Sequence, residues 1–432
     1  MYMNAFQTFM IIFGEYIGYL FHKNQEKTII NIAEKLAKIN IIYVKFLQAI
    51  SASSGIIDVK TKERLSQYSD NVPYTKDDLD FSFLKELQES GIYLKSTKPI
   101  NSGLIAVVFK GSDINGNEYA IKVKRRNIFQ KMSDSVQELE WIISKLMRYD
   151  FFKDINVKLH FERNKHILFE QLDFENEVEH IEIFYTNFEN VDHIIIPKVY
   201  KEYTDKNNNL IVMDYIKGKT LKELDSKDKI HFSKIIAKFG VKCFFYDGIY
   251  HGDMHQGNIF FITETNKSLL KNDEANGENE ENRENRENGE NTVYKLGIID
   301  FGIVGILNRI DQNTFYEFLQ KLYSDDYENT AEYVYDNIII PAKNKENLSE
   351  EIKKELIKNL AKILENSLEQ KFTTAKDIYN MNYILSKHDL ELSAFFSDAQ
   401  LALIVNNTLC NNLTHEEGMI FFDIYKDEFS NL

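Results

Sequence analysis

The sequence predicts an α+β fold in two lobes, the first built on antiparallel strands and the second mostly helical, behind a helical N-terminal extension. Three observations carry that expectation. Residues 104–110 (LIAVVFK) and 119–124 (YAIKVK) are apolar and β-branched, and the turn DINGN between them places Asn115-Gly116 where a hairpin needs it. From residue 228 onward apolar residues recur at helical spacing, interrupted at 259–262 (IFFI) and 293–300 (VYKLGIID). With 432 residues and 43% hydrophobic side chains, the chain is long and apolar enough for cores of this kind.

The extension opens with NAFQTFMIIFGEYIGYLF, residues 4–21. It is apolar, but Glu15 interrupts it and its length barely spans a bilayer. No basic stretch precedes it and no cleavage site follows, so a secretory leader is not expected. A helix packed in a soluble domain is the first reading, and a helix touching a membrane is the alternative. Residues 28–50 keep helical spacing without Pro or Gly and read as one long helix. FSFLKELQESG (81–91) reads as another, stopped by Gly91. Beyond the hairpin, helical spacing returns at about 133–148, and IPKVYKEY (196–203) with NLIVMDYI (209–216) reads as a strand pair joined by TDKNNN. The expected organisation is a helical extension over 1–95, a first lobe with a helical insertion over 96–215, and a helical second lobe over 216–432.

One stretch stands apart. Of the twenty residues 272–291, fourteen are Asn or Glu and none is a large apolar residue, so ordering entropy has nothing to offset it. A hairpin loop normally has about 2–5 residues; the expectation here is a disordered loop insertion over 265–292. This run carries −6 of the net charge of −15, and the acidic balance argues against a nucleic-acid partner. Two cysteines, Cys243 and Cys410, make neither a disulfide framework nor a zinc spacing, which points to a reducing, intracellular compartment.

The residues that carry chemistry begin at 251–261, HGDMHQGNIFF. His251 and His255 stand four apart, but glycines surround them and the glutamate of a zinc-binding HExxH helix is missing. Asp253 and Asn258 fit phosphoryl transfer better. That reaction needs a carboxylate beside the attacking oxygen, an amide that helps hold a divalent cation, and a second carboxylate on the cation. Asp300, in Asp300-Phe301-Gly302 after the apolar run LGII, supplies the last. A strand, an H-G-D-x-x-x-x-N loop, a hairpin and then Asp-Phe-Gly is the lower-lobe order of protein-kinase-like folds. Asp253 is therefore the catalytic candidate, and Asn258 and Asp300 are the candidate magnesium ligands.

Upstream, Lys122 has the strand context of a lysine that grips nucleotide phosphates. Under period-two alternation it shares a face with Ala120, whose small side chain leaves room for a base, while Ile121 and Val123 face the other way. Gly103 in INSGLIAVV is a single glycine where a phosphate-covering loop usually shows several. VMDYI leads into a hinge whose backbone at Asp214 and Ile216 would meet adenine. Glu177 is the candidate ion-pair partner for Lys122, in a stretch with many acids.

In this order the segments resemble the UbiB/ADCK-type atypical kinases, a protein-kinase-like family that supports isoprenoid-quinone metabolism. The likeness runs from about residue 40 to 310. YVKFLQAIS resembles the KxGQ segment and supplies Lys45 and Gln48; SDNVPY resembles the stretch after it. YAIKVKRRNI resembles the VAVKVQRP-type strand, and QLDFENEVEH resembles the ExD-containing helix, which singles out Glu177 and Asp173. IIIPKVY, VMDYIKG, FFYDGIYHGDMHQGN and LGIIDFGIVGIL follow in the family order. The resemblance implies a two-lobed kinase-like fold, ATP and Mg2+ as cofactors, kinase or ATPase activity, and a lipid or membrane surface as a partner of the N-terminal helices. There are departures. Leu47 replaces the KxGQ glycine, NSGL (101–104) replaces the Ala-rich loop, Gln171 replaces the first acid of ExD, and Met254 and Gln256 replace two prolines. Two other readings stay open. A small-molecule phosphotransferase of the aminoglycoside or choline kinase type shares HGDxHxxN, but the KxxQ helix and the long gap before Glu177 are foreign to it. A nucleotide-binding pseudokinase scaffold is suggested by the altered KxGQ segment and loop.

Overall fold

The structure, a computed structural model, describes residues 2–53, 65, 72–149, 152, 157–265, 292–322, 324, 326–369 and 375–414. The run expected as a disordered loop over 265–292 lies, but for its two end residues, outside them.

The extension forms three helices, α1 (Tyr2–His22), α2 (Gln25–Ala37) and α3 (Ile41–Ser53). Glu15 in the apolar run of α1 is not a defect: Lys35 of α2 pairs with it and Asn31 donates to it at 3.1 Å. The single helix expected over 28–50 is instead broken at Asn40. Its side-chain oxygen accepts the Ile42 N–H at 3.0 Å and its amide donates to Ser135 at 2.8 Å, so the side chain replaces helical backbone bonds and ties the break to the first lobe. Among the described residues no helix is long and apolar enough to cross a membrane.

Helix α4 (Phe83–Glu89) precedes β1 (Tyr93–Leu94), β2 (Asn101–Ser102), β3 (Ala106–Ser112) and β4 (Glu118–Lys124). The β3–β4 turn is closed by the Asp113 carboxylate, which accepts the N–H groups of Asn115 and Asn117, and by Gly116 at φ +87°, a conformation that needs no Cβ. Helices α5 (Ile128–Leu146), α6 (Val157–Glu170) and α7 (Phe174–Phe188) follow, then β5 (Ile194–Ile195) and β6 (Leu210–Asp214). β1 and β2 both pair with one edge of β3, and β4 lies between β3 and β6, all antiparallel. Alternation divides the sheet. Val107, Phe109, Ile121, Val123 and Val212 pack with Phe83 and Leu87 of α4, while Ala106, Ala120, Ile211 and Met213 face α7 and the second lobe.

The strand pair expected over 196–203 and 209–216 is mostly replaced. Only Val199 bridges Met213, and Lys201–Thr204 turn into a helical turn. The Thr204 hydroxyl then accepts the Val212 N–H at 3.2 Å, satisfying the strand edge in place of a partner backbone.

In the second lobe α8 (Lys229–Val241) runs into a π-helical turn, Lys242–Asp247, before β7 (Ile249–His251). Carbonyls freed by that turn at Phe244 and Phe245 both accept the Gln312 side-chain amide at 3.0 Å. β8 (Ile259–Thr265) and β9 (Thr292–Ile298) pair antiparallel, with β5 parallel on the other side of β9. β10 (Val304–Ile306) pairs with β7. Helices α9 (Arg309–Leu322), α10 (Tyr327–Asn337), α11 (Glu350–Glu369), α12 (Ala375–Ser386) and α13 (Ala394–Thr414) share one core with α7, α8 and these strands. α1 to α3 share another with α5 and α6, and α3 also touches α12.

The two-faced sheet makes a prediction. Phe83→Ala removes a buried ring from the face away from the second lobe and is expected to cost about 3–5 kcal/mol in urea unfolding.

Candidate active site

Lys122 lies mid-strand in β4 on the face turned to α7. α7 begins where Asp173 accepts the N–H groups of Glu175 and Asn176 at 3.0 and 3.3 Å, an N-cap that fixes the first turn. One turn in, Glu177 is 2% exposed, and its Oε1 stands 2.5 Å from Lys122 Nζ. Asp300 Oδ2 approaches the same ammonium at 3.6 Å. Burial alone would lower the Lys122 pKa; the Asp300 and Glu177 carboxylates outweigh it and hold the lysine charged, above its ordinary range. Glu177 also accepts a backbone hydrogen bond from Phe301.

The Asp300-Phe301-Gly302 segment is fixed from several sides. The Phe301 ring is fully buried, 5.0 Å from Phe184 of α7 and 5.4 Å from the His251 ring. His180, one turn before Phe184, bonds through Nδ1 to the Phe301 carbonyl at 3.1 Å. Asp300 Oδ1 accepts the Gly302 N–H at 3.0 Å, and its side chain is 41% exposed, leaving an oxygen open on the cleft. Burial opposes ionisation of Asp300, but Lys122 and the Gly302 N–H keep its carboxyl below the usual range.

His251 joins this segment to the catalytic loop. Its Nδ1 accepts the Asp253 N–H at 3.1 Å, and its Nε2 meets the Asp300 carbonyl, which can only accept. The ring is therefore neutral with its proton on Nε2, and burial pushes its pKa down in the same direction. Asn258 donates its amide to the Asp253 carbonyl at 2.9 Å, which leaves its own side-chain oxygen as an acceptor. The Ile299 N–H bonds the Asn258 carbonyl at 3.1 Å, so the β8–β9 register holds Asn258 and Asp300 at one end of the hairpin. His255 Nε2 lies 3.5 Å from Asp253 Oδ2. Partial burial would raise the Asp253 pKa; His255 and the Lys45 ammonium outweigh it and keep the carboxylate ionised.

That last effect locates the KxxQ segment. Lys45 of α3 is near enough to act electrostatically on both Asp253 and His255. Gln48 donates to the Leu65 carbonyl and thus serves the extension itself. Gln171, where the resemblance has an acid, lies beside Gly302: its Cγ is 3.7 Å from a Cβ built there. At the hinge, the Asp214 side chain and N–H are engaged within the protein. Its N–H donates to the Lys198 carbonyl, and its carboxylate accepts from the Lys198 N–H and the Tyr200 hydroxyl. Ile216 packs onto β9, where a Cβ on Gly297 would meet it at 2.6 Å. Gly103 ends β2, at the turn into β3. Sequence reasoning missed His180, Phe184 and Arg125, whose partners are backbone carbonyls or rings distant in the chain; nothing local marks them.

A family model described as the ABC1 atypical kinase-like domain matches residues 86–334, more than half of the chain. The chain belongs to that family. It is 26% identical to the probable protein kinase UbiB of Providencia stuartii over 339 residues, covering 75% of this chain and 57% of the relative. It is also 26% identical to that of Sodalis glossinidius over 320 residues, covering 71% and 53%. An uncharacterized protein of Synechocystis is 24% identical over 245 residues, covering 53% of this chain and 42% of that one. Among solved structures, the Rv3197–erythromycin complex from Mycobacterium tuberculosis aligns with a TM-score of 0.47 at 14% identity, covering 85% of this chain and 87% of that one. The chain is a divergent UbiB/ADCK-type member of the family, with a two-lobed α+β protein-kinase-like fold. It spans about half the length of the curated relatives it matches.

The neutral His251 makes the site acid-sensitive. An unfolded histidine takes up a proton as pH falls through about 6.5, whereas the folded one, with its lowered pKa, does not. The His251 contribution to unfolding free energy should therefore fall between pH 7.5 and 5.5, against the opposite trend from His255, whose pKa is raised by Asp253, so His251→Asn should lose less stability than the parent chain over that range, as read by denaturant titration at both pH values.

Proposed function

We propose that the chain binds ATP with magnesium between its lobes and transfers or hydrolyses the terminal phosphate. One observation carries this reading: Lys122, Glu177 and Asp300 converge within 2.5 and 3.6 Å, and His251 ties Asp300 to the loop bearing Asp253 and Asn258. Lys122 would steady the phosphates, with Glu177 holding the ammonium in place. The base would meet the Asp214 carbonyl and the Ile216 backbone, since the Asp214 N–H and carboxylate are already engaged. Ala120 lines the same sheet face.

Magnesium fits the donors present. It takes few protein oxygens and completes its shell with phosphate and water, so the Asn258 side-chain oxygen and the exposed Asp300 carboxylate suffice to hold it. When bound it supplies charge neutralisation for the phosphates. Asp253, held ionised, orients the acceptor hydroxyl or water and takes its proton late, which a loose transition state allows. The acceptor is small or is water, because residues 303–308 alone separate Gly302 from α9 and 304–306 of these are paired with β7, leaving no long segment to dock a peptide. A link to isoprenoid-quinone lipids belongs to this proposal on the family resemblance, with Phe6, Met10 and Ile17 exposed along α1 as the face for a lipid surface. Flotation with vesicles, intact and with those three residues changed to Ser, tests that part.

The test of the main reading is magnesium-dependent phosphate release. Asp253→Asn should lower turnover by about 10²–10⁴-fold with ATP affinity retained. Asp300→Asn should abolish the magnesium response, and Lys122→Ala should weaken ATP in a thermal-shift titration. Turnover at the parent rate in both aspartate variants overturns the assignment. ATP binding without turnover in the parent chain favours the scaffold reading.

A further inference from the structure

We propose that Arg125 is a positioning residue for the nucleotide phosphates, acting through the backbone of the loop over 103–105; this rests on the nucleotide reading above. Arg125 follows Lys122 by three residues, just beyond β4, and is buried. Its Nε donates to the Gly103 carbonyl at 3.0 Å, and its backbone N–H to the Ile105 carbonyl at 2.8 Å. On the other side, Nη1 donates to the Pro73 carbonyl at 3.1 Å, and Nη2 to the Val72 carbonyl at 3.0 Å and to the Ser102 hydroxyl at 2.9 Å. Asp78 balances the charge at 3.6 Å.

The same anchor is made again without the guanidinium. Ser102 donates its hydroxyl to the Val72 carbonyl at 2.6 Å and accepts the Val72 N–H on its own carbonyl at 2.7 Å. The loop is thus held from below by the residue that ends the lysine strand, and from the side by the segment that follows the extension. Leu104 and Ile105 add packing against the extension's core.

The consequence lies in the direction of the peptide groups. Carbonyls of residues 102, 103 and 105 are all turned to Arg125 or Val72. Among the described residues no hydrogen bond uses the Leu104 or Ile105 N–H. Successive backbone N–H groups left free just before the strand that pairs with β4 can serve as a phosphate-binding surface, and they do this work only while their carbonyls are held away. A guanidinium is suited to that task because its planar fork serves several acceptors in one geometry, which an ammonium cannot. Chain economy points the same way: one side chain sets the height of the loop relative to Lys122 and passes any movement of the 72–73 segment to it.

The experiment compares MgATP, MgADP and adenosine binding by calorimetry in the parent, Arg125→Lys, Ser102→Ala and Phe83→Leu chains. Ser102→Ala serves as the milder variant should Arg125→Lys fold poorly, and Phe83→Leu controls for destabilisation on the far face of the sheet. The expected result is about a tenfold loss of MgATP affinity in Arg125→Lys and a smaller loss in Ser102→Ala, with adenosine within about twofold throughout and Phe83→Leu unaffected. An ATP-to-adenosine affinity ratio unchanged in both loop variants overturns the positioning role and leaves the nucleotide reading standing. A parent chain that binds none of the three overturns that reading, and the inference with it.

Discussion

A buried ammonium between two carboxylates organises this molecule. Lys122 comes from the sheet, Glu177 from α7 and Asp300 from the end of β9, so one charge cluster joins the first lobe, its helix and the second lobe. Glu177 and Lys122, both largely shielded from water, would each be unfavourable alone in that position. Removing one partner of such a buried set typically costs about 3–5 kcal/mol, because the others are left uncompensated. The surroundings reinforce it with bonds to backbone: Glu177 to Phe301, His180 to the Phe301 carbonyl, His251 to the Asp300 carbonyl. The Phe301 ring fills the apolar space between α7 and β7. Charge pairing fixes which elements meet, and the ring and the histidines fix their angle.

Much of this was legible in the sequence where the signal is local. The Asn115-Gly116 turn, the alternation that sets Lys122 beside Ala120, and the Asp253, Asn258 and Asp300 spacing all rest on neighbours within a few residues. Glu177 was different. Several acids crowd residues 173–182, and only the family resemblance separated it from them; its burial against Lys122, 55 positions away, is a tertiary fact. The break at Asn40 was hidden because its cause is a bond to Ser135. Likewise, the helical turn at Lys201–Thr204 replaced an expected strand because the Thr204 hydroxyl could serve the edge of β6. Composition and periodicity report what a segment prefers, and these positions were decided by what else needed a hydrogen bond.

The departures from the family pattern fall around the core chemistry and leave its charges in place. Lys45 still acts electrostatically on Asp253 although Leu47 stands where the resemblance has glycine. Gln171 brings an amide to the side of Gly302 where the resemblance has an acid. Under the proposed reading, Asn258 and Asp300 are the donors left for a cation, a small set that suffices where a reaction depends on positioning and charge stabilisation more than on covalent help.

The central claim is that Glu177 serves the nucleotide only by holding Lys122. A double-mutant cycle on MgADP affinity tests it most directly, with Lys122→Met, Glu177→Gln and the double variant. The account predicts that each single change weakens binding and that the double variant is no weaker than Lys122→Met, a coupling of about 1 kcal/mol or more. Losses that simply add would contradict it.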